Sequence, residues 1–181
     1  MKRFISLFFF FMLVTYFTSF SQETKVKMPF ESFGIGVELQ SEDILYGGTL
    51  SYAMNSDIHL GVNFGLYFDG GAEGSGSSTF LTFGPYMKYF LSNMRIKSFF
   101  PYLKGQFLVT TTSVPTYDVF SQKWRRVTET GTKLILYVGS EWFPISSMGI
   151  YGGMRAFEIQ FDPTRLRIGT MSVTLGIEWF L

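Results

Sequence analysis

The sequence predicts an all-β protein, an eight-stranded antiparallel up-and-down barrel of the transmembrane kind, preceded by a cleaved signal peptide. Three observations predict it. Apolar residues recur with a period of two in runs of about 9–11 residues, the length of a tilted membrane-crossing strand. Turn-forming clusters separate these runs. After the N-terminus, no segment offers the ~20 consecutive apolar residues of a membrane-crossing helix.

Composition agrees. Charged residues make up 16% of the chain, against roughly 25% in an ordinary soluble domain. A mean hydropathy of +0.19 is nevertheless too low for a bundle of apolar helices. The 22 Phe, 10 Tyr and 19 Gly, interleaved with polar residues, point to strands. Cysteine is absent, which excludes disulfides, thiolate metal sites and a lipoprotein anchor. The formal net charge of +1 gives no reason to expect nucleic-acid binding.

Residues 1–21 read as the signal peptide. Lys2 and Arg3 form the positive start, and residues 4–17 are almost wholly apolar. Ser19 and Ser21 occupy the −3 and −1 places of a small-residue cleavage site. Cleavage leaves Gln22 first and residues 22–181 as one barrel domain, with 13 basic against 14 acidic residues.

The strands follow in order. Strand one sets Phe33, Ile35, Val37 and Leu39 against Gly34, Gly36, Glu38 and Gln40. Strand two sets Tyr46, Leu50, Tyr52 and Met54 against Gly47, Thr49, Ser51 and Ala53. Strand three, residues 58–68, is the clearest: Ile58, Leu60, Val62, Phe64, Leu66 and Phe68 oppose His59, Gly61, Asn63, Gly65 and Tyr67. Strand four sets Leu81, Phe83, Met87 and Tyr89 against Thr82, Gly84, Tyr86 and Lys88. Strand five sets Leu103, Phe107 and Val109 against Tyr102, Lys104 and Gln106. Strand six sets Leu134, Leu136, Val138 and Trp142 against Lys133, Tyr137, Gly139 and Glu141. Strand seven, residues 148–157, is the weakest, because Gly152 and Gly153 blur its faces. Strand eight sets Met171, Val173, Leu175, Ile177, Trp179 and Leu181 against Ser172, Thr174, Gly176 and Glu178.

The links alternate in character. Residues 55–57, 91–98 and 144–147 are short or modest turns. Residues 69–78 are Gly/Ser-rich, and 111–131 read as a long polar loop. With both termini in the periplasm, the longer links fall outside the cell, the asymmetry expected of these barrels.

Alternation alone does not say whether the apolar face points in or out, since a soluble lipocalin-like barrel would turn it inward. Three features favour outward. The polar face is small-residue-rich, with isolated charges at Glu38, Lys88, Lys104, Lys133, Glu141, Arg155 and Glu178. The apolar face carries large residues and almost no charge. The last strand runs to the final residue, and in lipid it must close on the first, because an open edge leaves backbone groups unsatisfied.

The cleavage site before Gln22, the segment Gly84-Pro85-Tyr86-Met87-Lys88-Tyr89-Phe90 and the ending Leu175-Gly176-Ile177-Glu178-Trp179-Phe180-Leu181 carry a resemblance. The chain resembles the small outer-membrane β-barrel ("porin family") proteins common in Bacteroidetes, distant relatives of the OmpA/OmpX-type barrels. The resemblance implies that the last strand is read by the barrel-assembly machinery, through Val173, Leu175, Ile177, Trp179 and Leu181. Leu181 departs from the usual terminal Phe.

Candidate sites are then few. Trp142 and Trp179, each following a Glu on the opposite face, suit an aromatic girdle at the membrane–water boundary. The lumenal charges suit mutual pairing, because eight strands leave an interior only wide enough for side chains. In the long loop, Tyr117, Phe120, Trp124, Arg125 and Arg126 suit either a contact site for a partner or lipopolysaccharide phosphates, or an aromatic cluster folded over the mouth. His59, the single histidine, reads as structural. The 69–74 stretch lacks the spaced carboxylates of a calcium loop, so no metal or cofactor is expected.

The expected protein is therefore a non-enzymatic, monomeric resident of the outer membrane of a Gram-negative bacterium, with a structural or surface-interaction role. Its expected partners are membrane lipid and lipopolysaccharide. A narrow small-solute channel, a lipid-modifying enzyme and a soluble ligand-binding barrel are the alternatives.

Overall fold

A computed structural model describes residues 27–41, 45–69, 78–118, 123–161, 164–168 and 172–181. The expected signal peptide, residues 1–21, lies outside them. The elements are β1 (Ser32–Gln40), β2 (Leu45–Ala53), β3 (Ile58–Asp69), β4 (Ser78–Phe90), β5 (Phe99–Asp118), β6 (Lys123–Ile145), β7 (Met148–Phe161), β8 (Thr164–Ile168) and β9 (Val173–Phe180). A 3₁₀ turn, Ser92–Met94, sits in the 91–98 link.

Every pairing is antiparallel. Each strand from β1 to β7 pairs with the next in sequence; β9 pairs with both β7 and β1. The ring therefore closes with eight staves. The short β8 pairs with the outer end of β7, through Phe157↔Ile168 and Phe161↔Thr164, on the edge that β9 occupies lower down. It prolongs the eighth stave and had no counterpart in the sequence reading.

The period of two becomes two faces. Outward stand Phe83, 55% exposed, Leu175, 54%, and Val37, Leu60, Phe64, Leu81, Met87 and Val138. Between Phe33 on β1 and Trp179 on β9, the outward positions of the described ring carry apolar residues, Gly, Pro or uncharged Ser and Thr, with no charge. Inward stand Glu38, Lys88, Lys104, Glu141, Arg155 and Glu178, all buried. The apolar face is thus the exterior, as in a membrane barrel and opposite to a lipocalin.

Two irregularities matter. Pro85 lies on the outer face of β4, and the β4–β5 pairing skips Gly84 and Pro85 before resuming in the same register. Proline has no N–H to give to that rung. On β7, Tyr137↔Arg155 is followed by Leu136↔Phe157, so Ala156 is an extra residue. Such a bulge reverses the inward parity beyond it. Glu158, three residues after Arg155, therefore also points inward.

The long polar loop expected at 111–131 is corrected. β5 runs to Asp118 and β6 starts at Lys123, so most of it is a regular hairpin with Thr111↔Thr130 and Tyr117↔Trp124. Residues there are rich in Thr and Val, which favour extended backbone. They lose apolar alternation because this ribbon rises past the ring. β4 accompanies β5 only to Ser113, and β7 accompanies β6 only from Lys133. From Val114 to Asp118 the ribbon continues for about 15 Å past its last pairing with a further described strand.

Leu60→Arg and Leu175→Arg should each destabilise the fold in phospholipid vesicles by about 2–4 kcal/mol. Thr112→Arg, which places the same charge inside the ring, should cost under about 1 kcal/mol. Urea titration of vesicle-folded protein measures all three.

Candidate functional site

The interior is layered. At the end bearing the short 55–57 and 146–147 turns, Phe90, Phe100, Phe143 and Phe180 pack with Ala53, Tyr102 and Tyr151 into one apolar cluster. Met28, just before β1, packs against it. Phe143 lies edge-on to Phe100 at 5.6 Å, and Phe90 and Phe180 flank it at 6.1 and 6.3 Å. These rings floor the barrel. Asn55 fastens the first turn, its Oδ1 accepting from the backbone N–H groups of Asp57 and Ile58 at 2.8 Å each.

His59 sits in this floor, fully buried, with rings of Phe90 at 4.8 Å and Phe180 at 5.3 Å. Neither imidazole nitrogen has a hydrogen-bond partner in the structure. The residue faces the lumen among rings, where lipid cannot reach it.

Above the floor lies a charged layer. Lys88 Nζ donates to Glu141 Oε2 at 2.7 Å and to Glu178 Oε2 at 3.2 Å. Lys104 Nζ donates to Glu38 Oε2 at 2.5 Å, and Tyr151 donates to the same oxygen at 2.7 Å. Gln40 and Asn63 donate to Glu38 Oε1 at 2.9 and 3.4 Å. Ser51 and Tyr86 donate to Glu178 Oε1. Both ammoniums also lie over rings: Lys88 is 4.2 Å from the Tyr151 centroid, and Lys104 is 4.6 Å from that of Tyr86. Three carboxylates and two ammoniums thus share one hydrogen-bonded layer. A buried charge is tolerable only with such partners.

Glycines make room for it. Gly61 pairs with Tyr86, Gly139 with Tyr102 and Gly176 with Tyr151. Each tyrosine ring lies across its paired glycine: a Cβ on Gly61 would meet the Tyr86 ring at 2.5 Å, and one on Gly139 would meet Tyr102 at 2.6 Å. The small residues of the polar face are therefore seats for aromatic rings that carry the ion pairs.

At the hairpin end the interior opens into a cavity of about 590 Å³. Arg155 and Glu158 pair with each other on its wall, and Arg167 of β8 approaches Glu158 Oε1 at 3.6 Å. Glu158 was absent from the sequence-read charges, since the β7 bulge conceals its parity. Lys133, grouped with them, lines this upper cavity instead of joining the charged layer.

Trp142 and Trp179 both adjoin the 146–147 turn, through Trp142↔Ile150 and Met148↔Trp179. Phe99 stacks on Trp142 at 6.1 Å, and Phe33 lies 5.0 Å from Tyr52 at the same end. Val173, Leu175 and Trp179 project outward along β9, and Leu181 follows it, 84% exposed. On the hairpin, Tyr117 and Trp124 meet edge-to-face at 5.3 Å and stay exposed, so they do not fold over the mouth. Pairing of Pro115 with Arg126 puts Arg126 on their side of the ribbon, and Arg125 on the other. Phe120 lies outside the described residues.

No protein-family model matches the chain, and no curated protein matches it. Solved structures do. The N-terminal β-barrel domain of Pseudomonas aeruginosa OprF superimposes with a TM-score of 0.54 at 13% identity, over 84% of this chain and 98% of that one. Neisserial surface protein A superimposes with a TM-score of 0.51 at 14% identity, over 82% of this chain and 94% of that one. At such identities the likeness is one of fold.

Glu38→Gln leaves Lys104 buried without its counter-ion and should destabilise the barrel by about 3–5 kcal/mol. Glu38→Gln combined with Lys104→Met should recover most of that loss. A double-mutant cycle by urea titration reads the coupling.

Proposed function

We propose that the chain is an integral outer-membrane β-barrel of a Gram-negative bacterium, a non-enzymatic protein whose lumen is plugged and whose work is done by the hairpin it raises outside the cell. The observation that carries this reading is the uncharged, apolar outer surface of a closed ring. Such a surface is unfavourable in water and matched to hydrocarbon, and closure leaves no unpaired backbone edge for lipid to face.

Residues 1–21 supply the export signal under this reading, and the turn end faces the periplasm. Trp142, Trp179, Phe33 and Tyr52 then lie at one level, suited to the inner boundary of the outer membrane. The outward residues of β9, together with Leu181, present the alternating pattern that the assembly machinery reads. The protein is a monomer in lipid and lipopolysaccharide.

The ribbon from Val114 to Val127 carries the exposed Tyr117 and Trp124 beside Arg126, and β8 adds Arg165 and Arg167. Arginine with exposed rings is the composition of contact surfaces, and guanidinium groups pair well with phosphate. Lipopolysaccharide phosphates or a partner at the cell surface fit this set. A channel is disfavoured by the layer of paired charge and the floor of rings beneath it. A lipid-modifying enzyme is disfavoured because His59 lies inside the floor.

Membrane fractionation tests the proposal. The folded protein should partition with the outer membrane and migrate differently on gels with and without boiling. Planar bilayers should show no discrete conductance steps. Recovery from the periplasm in aqueous buffer without detergent would contradict membrane insertion.

A further inference from the structure

We infer that the upper cavity is a binding site for a small, neutral, hydroxyl-rich molecule the size of one or two sugar rings. The inference goes beyond the proposed structural and surface role and does not depend on which membrane holds the barrel. Its starting point is shape. The cavity measures about 590 Å³, within the range of roughly 300–1,000 Å³ typical of small-molecule sites. It is blind, because the charged layer and the ring floor close it below. It therefore holds a molecule without passing it on.

The lining sets the chemistry. Thr82, Thr110, Thr112 and Ser172 supply hydroxyls, and Gln40 and Gln160 supply amides. These groups both donate and accept, as a polyol requires of its partners. The charges that line the cavity directly, Lys133 and Arg155 against Glu129 and Glu158, balance, with Arg167 beside Glu158 just outside the lining, so the lining itself carries no net charge to select an anion or a cation. Phe80 and Tyr137 provide flat apolar faces, against which the C–H side of a sugar ring can lie.

A second observation points the same way. Gln106 is 1% exposed, and neither its amide nitrogen nor its amide oxygen has a hydrogen-bond partner in the structure. It borders a small recess of about 20 Å³ that shares Gln40, Thr82 and Leu108 with the main cavity. Thr110 Oγ1 is likewise buried without a partner. Buried polar atoms are rarely left so. A hydroxylated guest seated on Gln40 and Thr82 would bring donors and acceptors to this wall.

Calorimetric titration of the folded protein in zwitterionic micelles tests the site, sugar-headed detergents being avoided as competitors. Glucose and maltose are the probes; citrate and tetramethylammonium are the charged comparators. Saturable heat with at least one sugar, and none with either ion, is the expected result. Thr110→Val should weaken that sugar's binding by about tenfold, the equivalent of about one hydrogen bond. Thr112→Trp, which fills the cavity, should abolish it. Heat-modifiable mobility confirms that both variants fold. No saturable heat with either sugar, citrate binding as tightly as sugar, or affinity unchanged in both variants would each overturn the inference.

Discussion

The constraint on which the rest depends is closure of the hydrogen-bonded ring under an outer surface that bears no charge. Once β9 pairs with β1, the backbone of the ring needs no external partner, and the outward side chains are free to be wholly apolar. The same constraint drives the polar side chains of the ring inward. Eight staves leave a narrow interior, so those side chains must satisfy one another in little space. Lys88 between Glu141 and Glu178, and Lys104 against Glu38, are the result. The Gly–Tyr pairs at 61/86, 139/102 and 176/151 are what lets three rings and two lysines share that space.

From floor to mouth the interior changes from aromatic, to charged and paired, to open and hydroxylated. Each level follows from the one below. The rings exclude water from the turn end. The charged layer is then held by fixed partners rather than solvent, which makes it a rigid plug. Above it the ring no longer needs filling, because the upper parts of β5 and β6 rise past their neighbours and the cavity meets the exterior. The Ala156 bulge turns Arg155 and Glu158 to the same side, and with Arg167 of β8 they hold the upper wall together.

The staves themselves were legible in the sequence because one face of each meets hydrocarbon and the other does not. Residues 58–68 and 171–181 state that contrast almost without exception. Where hydrocarbon ends, the contrast ends too. Thr110, Thr111 and Thr112, facing Gly131, Thr130 and Glu129, have no apolar side, and they read as a loop although their β-branched side chains were the remaining signal of a strand. Glu158 was hidden by a single inserted residue, which period counting across 148–157 does not reveal. The inward charges were legible as a set, but their partners were not. Which lysine meets which glutamate depends on stagger around the ring, and Lys88 reaches across to Glu141 on β6 and Glu178 on β9, neither of them a neighbouring stave.

A nitroxide scan of β3 in bilayers tests the central claim most directly. The chain has no cysteine, so each introduced one is a unique label site. Labels at Leu60, Val62 and Phe64 should collide readily with dissolved oxygen and hardly with a polar nickel chelate. Labels at Asn63, Gly65 and Tyr67 should be shielded from oxygen in the lipid, giving a period of two along the strand. Nickel access at Leu60 and Phe64, or equal oxygen access at all six positions, would contradict a ring whose apolar face lies against lipid.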